Sequence, residues 1–570
     1  MRIALLQLNC RLADPEANGL ALEAAYREAV AGGAELVLTP ELAVVGYLPE
    51  DRLMEQGLRR RIAEETRRLA ALSGPVPLVL GTCSPAPSGR LWNELCWCEH
   101  GQVRAVVHKR LLPAYDVFDE DRYFEADLEP QPLVAFQGER IGLSICEDIW
   151  ADPNLSPMPV RYDLDPIAAL AEAGATLILN ASASPGHLGS YLPPGRSAPW
   201  AAPSKFALRR KLLLGHAAQH GIPIAYASRV GGESWLTFDG GSGLAAPDGT
   251  WQGCAAFQAQ VLFVDTRGGG SPYPSEPTEA QWLRLALGTS LRENLAKQGL
   301  EAVVVGLSGG IDSSVVAALA AETLGPERVL GIALPTRFTS AESLDLAREQ
   351  ARVLGIPFAQ MDADLPFAGA LGALGGAFPD RTFGITDENL QSRCRGMLLM
   401  AATSEPGVHR RLGTARVAVL NTGNKSEAAT GYFTLYGDGI GAFGVLGDCL
   451  KARVFALARE LGPAIPAGIL NRPPTAELRP DQTDEASLMP YAQLDAILGA
   501  LLEAHREPET LAEDLRCVLD GAALAQAQGA LERLLRLLRN SEFKRRQLPF
   551  ALKVTPWAFG RGRRIPLTAL

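Results

Sequence analysis

Nowhere does the 570-residue chain run through eighteen uninterrupted apolar positions, so no stretch is suited to cross a bilayer as a helix. Its N-terminal MRIALLQLNC enters a strand pattern at once and lacks the layout of a signal peptide. The nine cysteines show no repeated CxxC spacing. Cys96 and Cys98 lie close, but with no second cysteine or histidine cluster they form neither a zinc clip nor a disulfide framework. A reducing, cytoplasmic setting fits this usage. Basic blocks are missing apart from residues 544–546 and 561–564, and the net charge is −10. A general nucleic-acid binder needs a basic face to displace counterions, so that class is disfavoured. No internal repeat is visible, which excludes a solenoid.

What is present is a chain that is 47% hydrophobic, with 57 glycines and 40 prolines. That supplies apolar cores and many short connections, at a length that calls for two domains. From residue 3 to about 265, runs such as IALLQL, ELVLTPE, RIGLSICED and TLILNAS alternate with helical segments at 19–31, 51–72, 166–175 and 205–220. This is a many-stranded α/β pattern. Residues 266–281, TRGGGSPYPSEPTEAQ, break every periodic signal and read as a linker between domains 1–265 and 282–570. The second part predicts helices over 282–298, 313–323, 341–354 and 388–400, with strands over 302–306, 329–334 and 417–421. Such spacing implies a doubly wound, Rossmann-like parallel sheet.

Three stretches of the first part carry chemistry: PELAVVGY with Glu41, HKRLLPAY with Lys109, and GLSICEDIW with Cys146 at the end of an apolar run. A thiol at the mouth of a sheet becomes a nucleophile when a carboxylate takes its proton and a cation favours the developing negative charge. Singly, Cys146 is more readily a buried small hydrophobe, and Glu41 and Lys109 are more often surface charges or a structural ion pair. Together, in this order, they resemble the Glu-Lys-Cys triad of the nitrilase, or carbon–nitrogen hydrolase, superfamily, over about residues 1–265. The resemblance implies an α-β-β-α sandwich, with Glu41 as general base, Cys146 as nucleophile and Lys109 stabilising the tetrahedral intermediate. Residues 112–124, LPAYDVFDEDRYF, follow the form of amidase domains that feed ammonia to a synthetase. By that likeness Tyr115 contacts substrate and Glu120 is a second, orienting carboxylate. In NASASPGH, Ser184 resembles a glutamine-binding serine. The family places a basic residue six positions on, where this chain has Ser190, and favours GGQDEL where this chain has GGESWL. Arg196 and Lys205 are the candidates to supply the missing charge.

The second part contains VVVGLSGGIDSSVVAAL at residues 303–319. Paired glycines after a β-branched strand let backbone N–H groups turn inward as an anion nest, and the following helix adds its positive end. A Walker loop would carry lysine beside its terminal hydroxyl residue. Here Ile311 and Asp312 stand there, which leaves Asp312 to hold Mg²⁺. The loop resembles the SGGxDS motif of enzymes that cleave ATP between the α- and β-phosphates. TDENLQSRCRG, NTGNKSEAATGYFTLYGDGIG, residues 473–491 and SEFKRRQLPF then match the NAD synthetases in order. With the amidase half, nearly the whole chain resembles the glutamine-dependent NAD synthetases.

That resemblance implies an ATP site of Gly306, Leu307, Ser308, Gly309, Gly310, Ile311, Asp312, Ser313 and Thr422. Asp312 and Glu427 would be the magnesium carboxylates. Asn389, Glu427, Tyr432, Phe433, Thr434, Leu435 and Lys544 would contact deamidated dinucleotide. The implied reaction joins deamido-NAD⁺ to ammonia freed from glutamine through an adenylate, the ammonia passing within an enclosed passage. Its partners are small molecules, with no nucleic acid or membrane, in a homo-oligomer assembled through the synthetase parts. A tRNA-acting relative would show a basic surface or a cysteine-rich insertion, and a non-catalytic sensor would show a degraded site. Residues 402–416, rich in Gly, Pro and Arg, read as an enlarged surface connection.

Overall fold

The computed structural model describes residues 1–156, 160–268, 276–475, 477–479 and 488–568. The chain forms two compact units. One comprises Met1–Gly186, Ser204–Glu233 and Thr237–Glu276; the other comprises His187–Pro203, Ser234–Leu236 and Pro277–Leu570. Much of the expected linker, residues 269–275, lies outside the described residues, as do residues 476 and 480–487 of the synthetase-like motif at 473–491.

The first unit holds two six-stranded sheets. In one, Arg2–Gln7 is flanked by antiparallel Gln260–Asp265 and parallel Leu36–Leu38, followed by Leu78–Pro85, Leu91–Glu99 and Gln102–His108. In the other, Ile224–Ser228, Leu177–Ser182 and Glu139–Ile145 run parallel through the middle. Alternate residues of these strands meet in a core between the sheets: Leu5, Leu38, Val79 and Trp97 from one, Ile145, Leu179 and Ala227 from the other. The opposite faces are also covered. Ile178, Ile224 and Tyr226 pack under Leu208, Leu212 and Leu213 of the helix Lys205–His220. Burial on both faces explains why the strands read as continuous apolar runs rather than alternating ones. The result is the helix-sheet-sheet-helix layering expected of the first part.

The second unit is built on five parallel strands in the order Phe358–Gln360, Val329–Ala333, Ala302–Gly306, Val417–Asn421, Phe443–Gly444. The order reverses beside Ala302–Gly306, and at such a switch point parallel α/β sheets bind ligands beyond the strand ends. The helix Ile311–Leu324 leaves from that end. A separate helical core gathers Leu494, Leu498, Leu515, Leu534 and Leu538.

One expectation needs correction. Residues 402–416 are more than a surface connection: Pro406–Leu412 is a helix whose Val408 and Leu412 bury against Ala302, Val304 and Leu330. Its signals are local, with Glu405 accepting from the Gly407 N–H, Pro406 at the first turn and Gly413 ending it at φ +69°. Residues 187–203, expected in the first domain, cluster with the second unit. There the Leu188 N–H donates to the Val554 carbonyl at 2.8 Å, and Arg453 donates to the Gly189 carbonyl at 2.7 Å.

Candidate active sites

In the first unit, the strand Glu139–Ile145 ends at Cys146, which takes φ +43° and opens a short 3₁₀ turn to Trp150. A left-handed non-glycine residue at a strand end is strained, and such strain is held only where neighbours over-determine it. Asp148 is that neighbour. Its carboxylate accepts the Ile145 N–H at 2.8 Å, the Leu111 N–H at 3.0 Å and the Arg110 N–H at 3.2 Å. One buried side chain thus ties the turn at Cys146 to the segment that follows Lys109. Burial pushes the Asp148 carboxyl up to about 7 against the pull of those N–H groups.

Lys109 is wholly buried, and its ammonium donates to Glu41 Oε1 at 2.7 Å and Glu120 Oε1 at 2.8 Å. Glu41 also accepts from Asn93 at 2.7 Å and from the Ala183 N–H at 2.9 Å, while Glu120 accepts the Tyr47 hydroxyl at 2.5 Å. Burial alone would neutralise such a lysine, but Glu120 and then Glu41 more than offset it and hold the ammonium charged. Burial raises Glu120 to about 7, partly countered by Lys109. Burial, then Glu41, pushes the Cys146 thiol well up, with Lys109 pulling the other way. The resting group is therefore a thiol with a carboxylate base and a fixed cation in its electrostatic field. That is the equipment for attack on a carbonyl-type carbon.

In the second unit, Gly309 sits at φ +76°, and a Cβ there would lie 2.4 Å from the Ser343 carbonyl oxygen. Ser308 Oγ accepts the Gly310 N–H at 3.2 Å and contacts Ser313 Oγ at 3.1 Å, shaping the loop. Gly310 caps the helix Ile311–Leu324 without any side-chain bond, which leaves the first-turn N–H groups for an anion. The loop borders a cavity of about 270 Å³. Asn424 bridges the two expected metal carboxylates, donating to Asp312 Oδ1 at 3.0 Å and Glu427 Oε1 at 2.8 Å. The Lys451 ammonium pairs with Asp312 and lies 3.6 Å from Glu427.

The carbon-nitrogen hydrolase family matches residues 2–267 and the NAD synthase family residues 285–548. The glutamine-dependent NAD(+) synthetase of Synechocystis is 38% identical, over 99% of this chain and 98% of that protein. The chain belongs to the glutamine-dependent NAD(+) synthetase family. The family's Thermotoga maritima protein is 34% identical over all of this chain and 98% of its own. The solved structure of the Acinetobacter baumannii synthetase in complex with ADP aligns at a TM-score of 0.72 and 29% identity, covering 99% and 98% of the two chains. That of the Cytophaga hutchinsonii synthetase aligns at 0.77 and 20% identity over 100% and 97%, which speaks to the fold.

Within this synthetase frame the residues singled out from sequence fall into groups. Glu41, Lys109, Glu120 and Cys146 come together as described, although Glu120 holds the lysine rather than an open subsite. Tyr115 donates to Glu147 at 3.0 Å, which Tyr162 also reaches at 2.8 Å. Ser184 is held by Arg209, which donates to its carbonyl at 3.1 Å. Ser190 does not join them: it lies in the second unit, where its hydroxyl donates to the Glu503 carbonyl at 3.1 Å.

Gly306, Leu307, Ser308, Gly310, Ile311, Asp312, Ser313, Thr422, Glu427 and Tyr432 line the cavity. Gly309 does not line it. Phe433 lines a second cavity of about 290 Å³ that shares Asn421, Gly423, Glu427 and Asp438 with the first. Thr434 donates to Asn389 at 2.8 Å, Leu435 accepts from Arg393 at 3.2 Å, and Lys544 donates to the Gly431 and Phe433 carbonyls at 2.9 Å. Asn389, Phe433, Thr434, Leu435 and Lys544 are absent from the lining of the first cavity. Sequence reasoning missed Asp148, Glu147, Asn424 and Lys451. The N-x-x-E spacing of a capping box marks Asn424 with Glu427; Lys451 carries no local signal.

Proposed function

We propose that the chain makes NAD⁺ from deamido-NAD⁺, ATP and L-glutamine, releasing AMP, diphosphate and L-glutamate. The observation that carries this reading is the coexistence, in one chain, of the buried Glu41–Lys109–Cys146 cluster and the Gly309–Asp312 anion loop with its two carboxylates.

In the first half, Glu41 takes the Cys146 proton as sulfur attacks the amide carbon, and the Lys109 ammonium compensates the oxyanion. The proton returns to the leaving nitrogen, ammonia departs, and water hydrolyses the thioester to glutamate. Splitting the reaction lowers each barrier. In the second half, the nicotinate carboxylate attacks the α-phosphorus, diphosphate leaves into the N–H groups of the loop, and ammonia displaces AMP from the adenylate. Ammonia must arrive unprotonated, which favours handing it over within the enzyme.

Asp312 and Glu427 are hard oxygen donors that already hold a cation, the Lys451 ammonium, so they fit Mg²⁺, which binds through one or two carboxylates together with phosphate oxygens. Bound there, the ion would neutralise triphosphate charge. No helix among the described residues is long and apolar enough to cross a membrane. A cytoplasmic homo-oligomer joined through its synthetase halves, acting on small molecules alone, completes the reading; light scattering tests the assembly.

The deciding measurement is steady-state NAD⁺ formation with glutamine, asparagine or ammonium as nitrogen source. Cys146→Ala should abolish the glutamine-supported rate and keep the ammonium-supported one. No NAD⁺ from any source would overturn the assignment.

A further inference from the structure

Of the seven histidines, only His216 is buried, at 0% exposure, and the chemistry above makes no use of it. It lies near the end of the helix Lys205–His220. That helix covers the turn Cys146–Trp150, whose Ile149 and Trp150 pack with its Leu208, Leu212, Leu213 and Ala217. Into this apolar contact His216 brings one polar bond, from Nε2 to the Ile149 carbonyl at 2.8 Å. A carbonyl only accepts, so the ring proton lies on Nε2. Burial holds the imidazole pKa below its usual value despite that bond, so the donor is a neutral ring at pH 7. One turn on, the His220 ring stacks beside it at 6.1 Å, and Gln219 donates to Asp152 at 3.1 Å.

Apolar packing keeps the turn under the helix; a hydrogen bond also fixes distance and direction. The turn requires that, because Cys146 is held at φ +43° and relaxes unless its neighbours over-determine it. Asp148 fixes the start of the turn by accepting the Ile145 N–H at 2.8 Å. His216 fixes the far end, three residues after the sulfur. With both ends tied, Cys146 cannot change its backbone angle without breaking a buried hydrogen bond, and the Ile149 carbonyl so exposed would have no donor in its place.

We propose that His216 is a positioning residue for thioester formation: by holding the Ile149 carbonyl it keeps the Cys146 thiol aimed at the amide carbon. This rests on the reading of Cys146 as the glutaminase nucleophile, and adds to it a residue that touches neither the thiol nor the donor.

The test uses the full-length enzyme and three substitutions. His216→Leu removes the donor at similar volume, His216→Gln keeps an N–H at the same reach, and Leu213→Val loosens the same helix without touching the bond. Glutamate release gives kcat and KM, the rate of Cys146 alkylation by iodoacetamide reads the thiol directly, and urea unfolding reads stability. A buried carbonyl left without its donor is worth about 10- to 100-fold. His216→Leu should lower kcat and the alkylation rate by about that factor while KM holds, and His216→Gln should restore most of both. Leu213→Val should lower the urea midpoint and leave kcat and alkylation in place. Unchanged kcat in His216→Leu, no recovery in His216→Gln, or an equal kcat loss in Leu213→Val overturns the inference. If His216→Leu does not fold, His216→Asn decides: its amide falls one bond short, so it must lose what His216→Gln keeps, and equal kcat in the two overturns the inference. Absence of glutamate release by the unaltered enzyme overturns the glutaminase reading instead; alkylation then decides the positioning, and equal rates in His216→Leu and the unaltered chain overturn it.

Discussion

Glu120 and Lys109 form an ion pair 2.7 Å apart with neither side chain exposed. Because Glu41 also accepts from this ammonium, one lysine serves two carboxylates. Glu41 is held independently of Glu120, by the Asn93 amide and the Ala183 N–H, while Glu120 takes the Tyr47 hydroxyl. Glu120→Gln should therefore leave the base in place and misplace the cation. We expect kcat for glutamine hydrolysis to fall about 100-fold, KM to hold, and ammonium-supported synthesis to persist. Paired steady-state assays check this; a rise in KM at constant kcat would assign Glu120 to substrate binding instead.

Gly309→Ala should damage the other half. At φ +76°, with Ser343 O 2.4 Å from the new Cβ, the loop must move, at a cost of about 1–3 kcal/mol for the backbone alone. AMP formation should fall with glutamine and with ammonium alike, while glutamate release measured without ATP persists. Gly310→Ala is the control: its φ is −93° and its nearest new neighbour is the Ser308 hydroxyl at 3.2 Å. Equal damage from both substitutions would place the sensitivity in the helix start rather than in the nest.

How much of this was legible follows the range of the forces involved. The helices Lys205–His220 and Ala341–Leu354 and the strands Ala302–Gly306 and Val417–Asn421 carry their boundaries locally, in caps and apolar runs, and reading and structure coincide there. Pro406–Leu412 carried caps too, but its content of turn residues masked them. Glu41, Lys109 and Cys146 were found by their order and context. Lys451 and Asp148 were not, because each acts across the fold, Lys451 on Asp312 139 residues away and Asp148 on Leu111 37 residues away. The surroundings of Ser190 were not legible for the same reason: its partner, Glu503, lies 313 positions along the chain.

Glu503 itself is a hub whose loss should be severe. Its carboxylate accepts from Arg453 Nη1 at 2.6 and 2.8 Å, from Lys425 at 3.2 Å and from the Tyr191 N–H at 2.8 Å, all buried or nearly so. Lys425 keeps Asp448 at 2.9 Å; Arg453 keeps the Gly189 carbonyl at 2.7 Å, but among the described residues its other carboxylate is Glu279, which is 56% exposed. Glu503→Gln thus strands the Arg453 charge more than that of Lys425, and breaking a buried pair from one side costs about 3–5 kcal/mol. The midpoint of urea unfolding should drop accordingly. Because Arg453 stands two residues from Lys451 and Lys425 two from Glu427, the same substitution should weaken ATP use with either nitrogen source. An unfolding midpoint that holds, with ATP use intact, would mean that water or Glu279 can satisfy Arg453 and that the hub is dispensable.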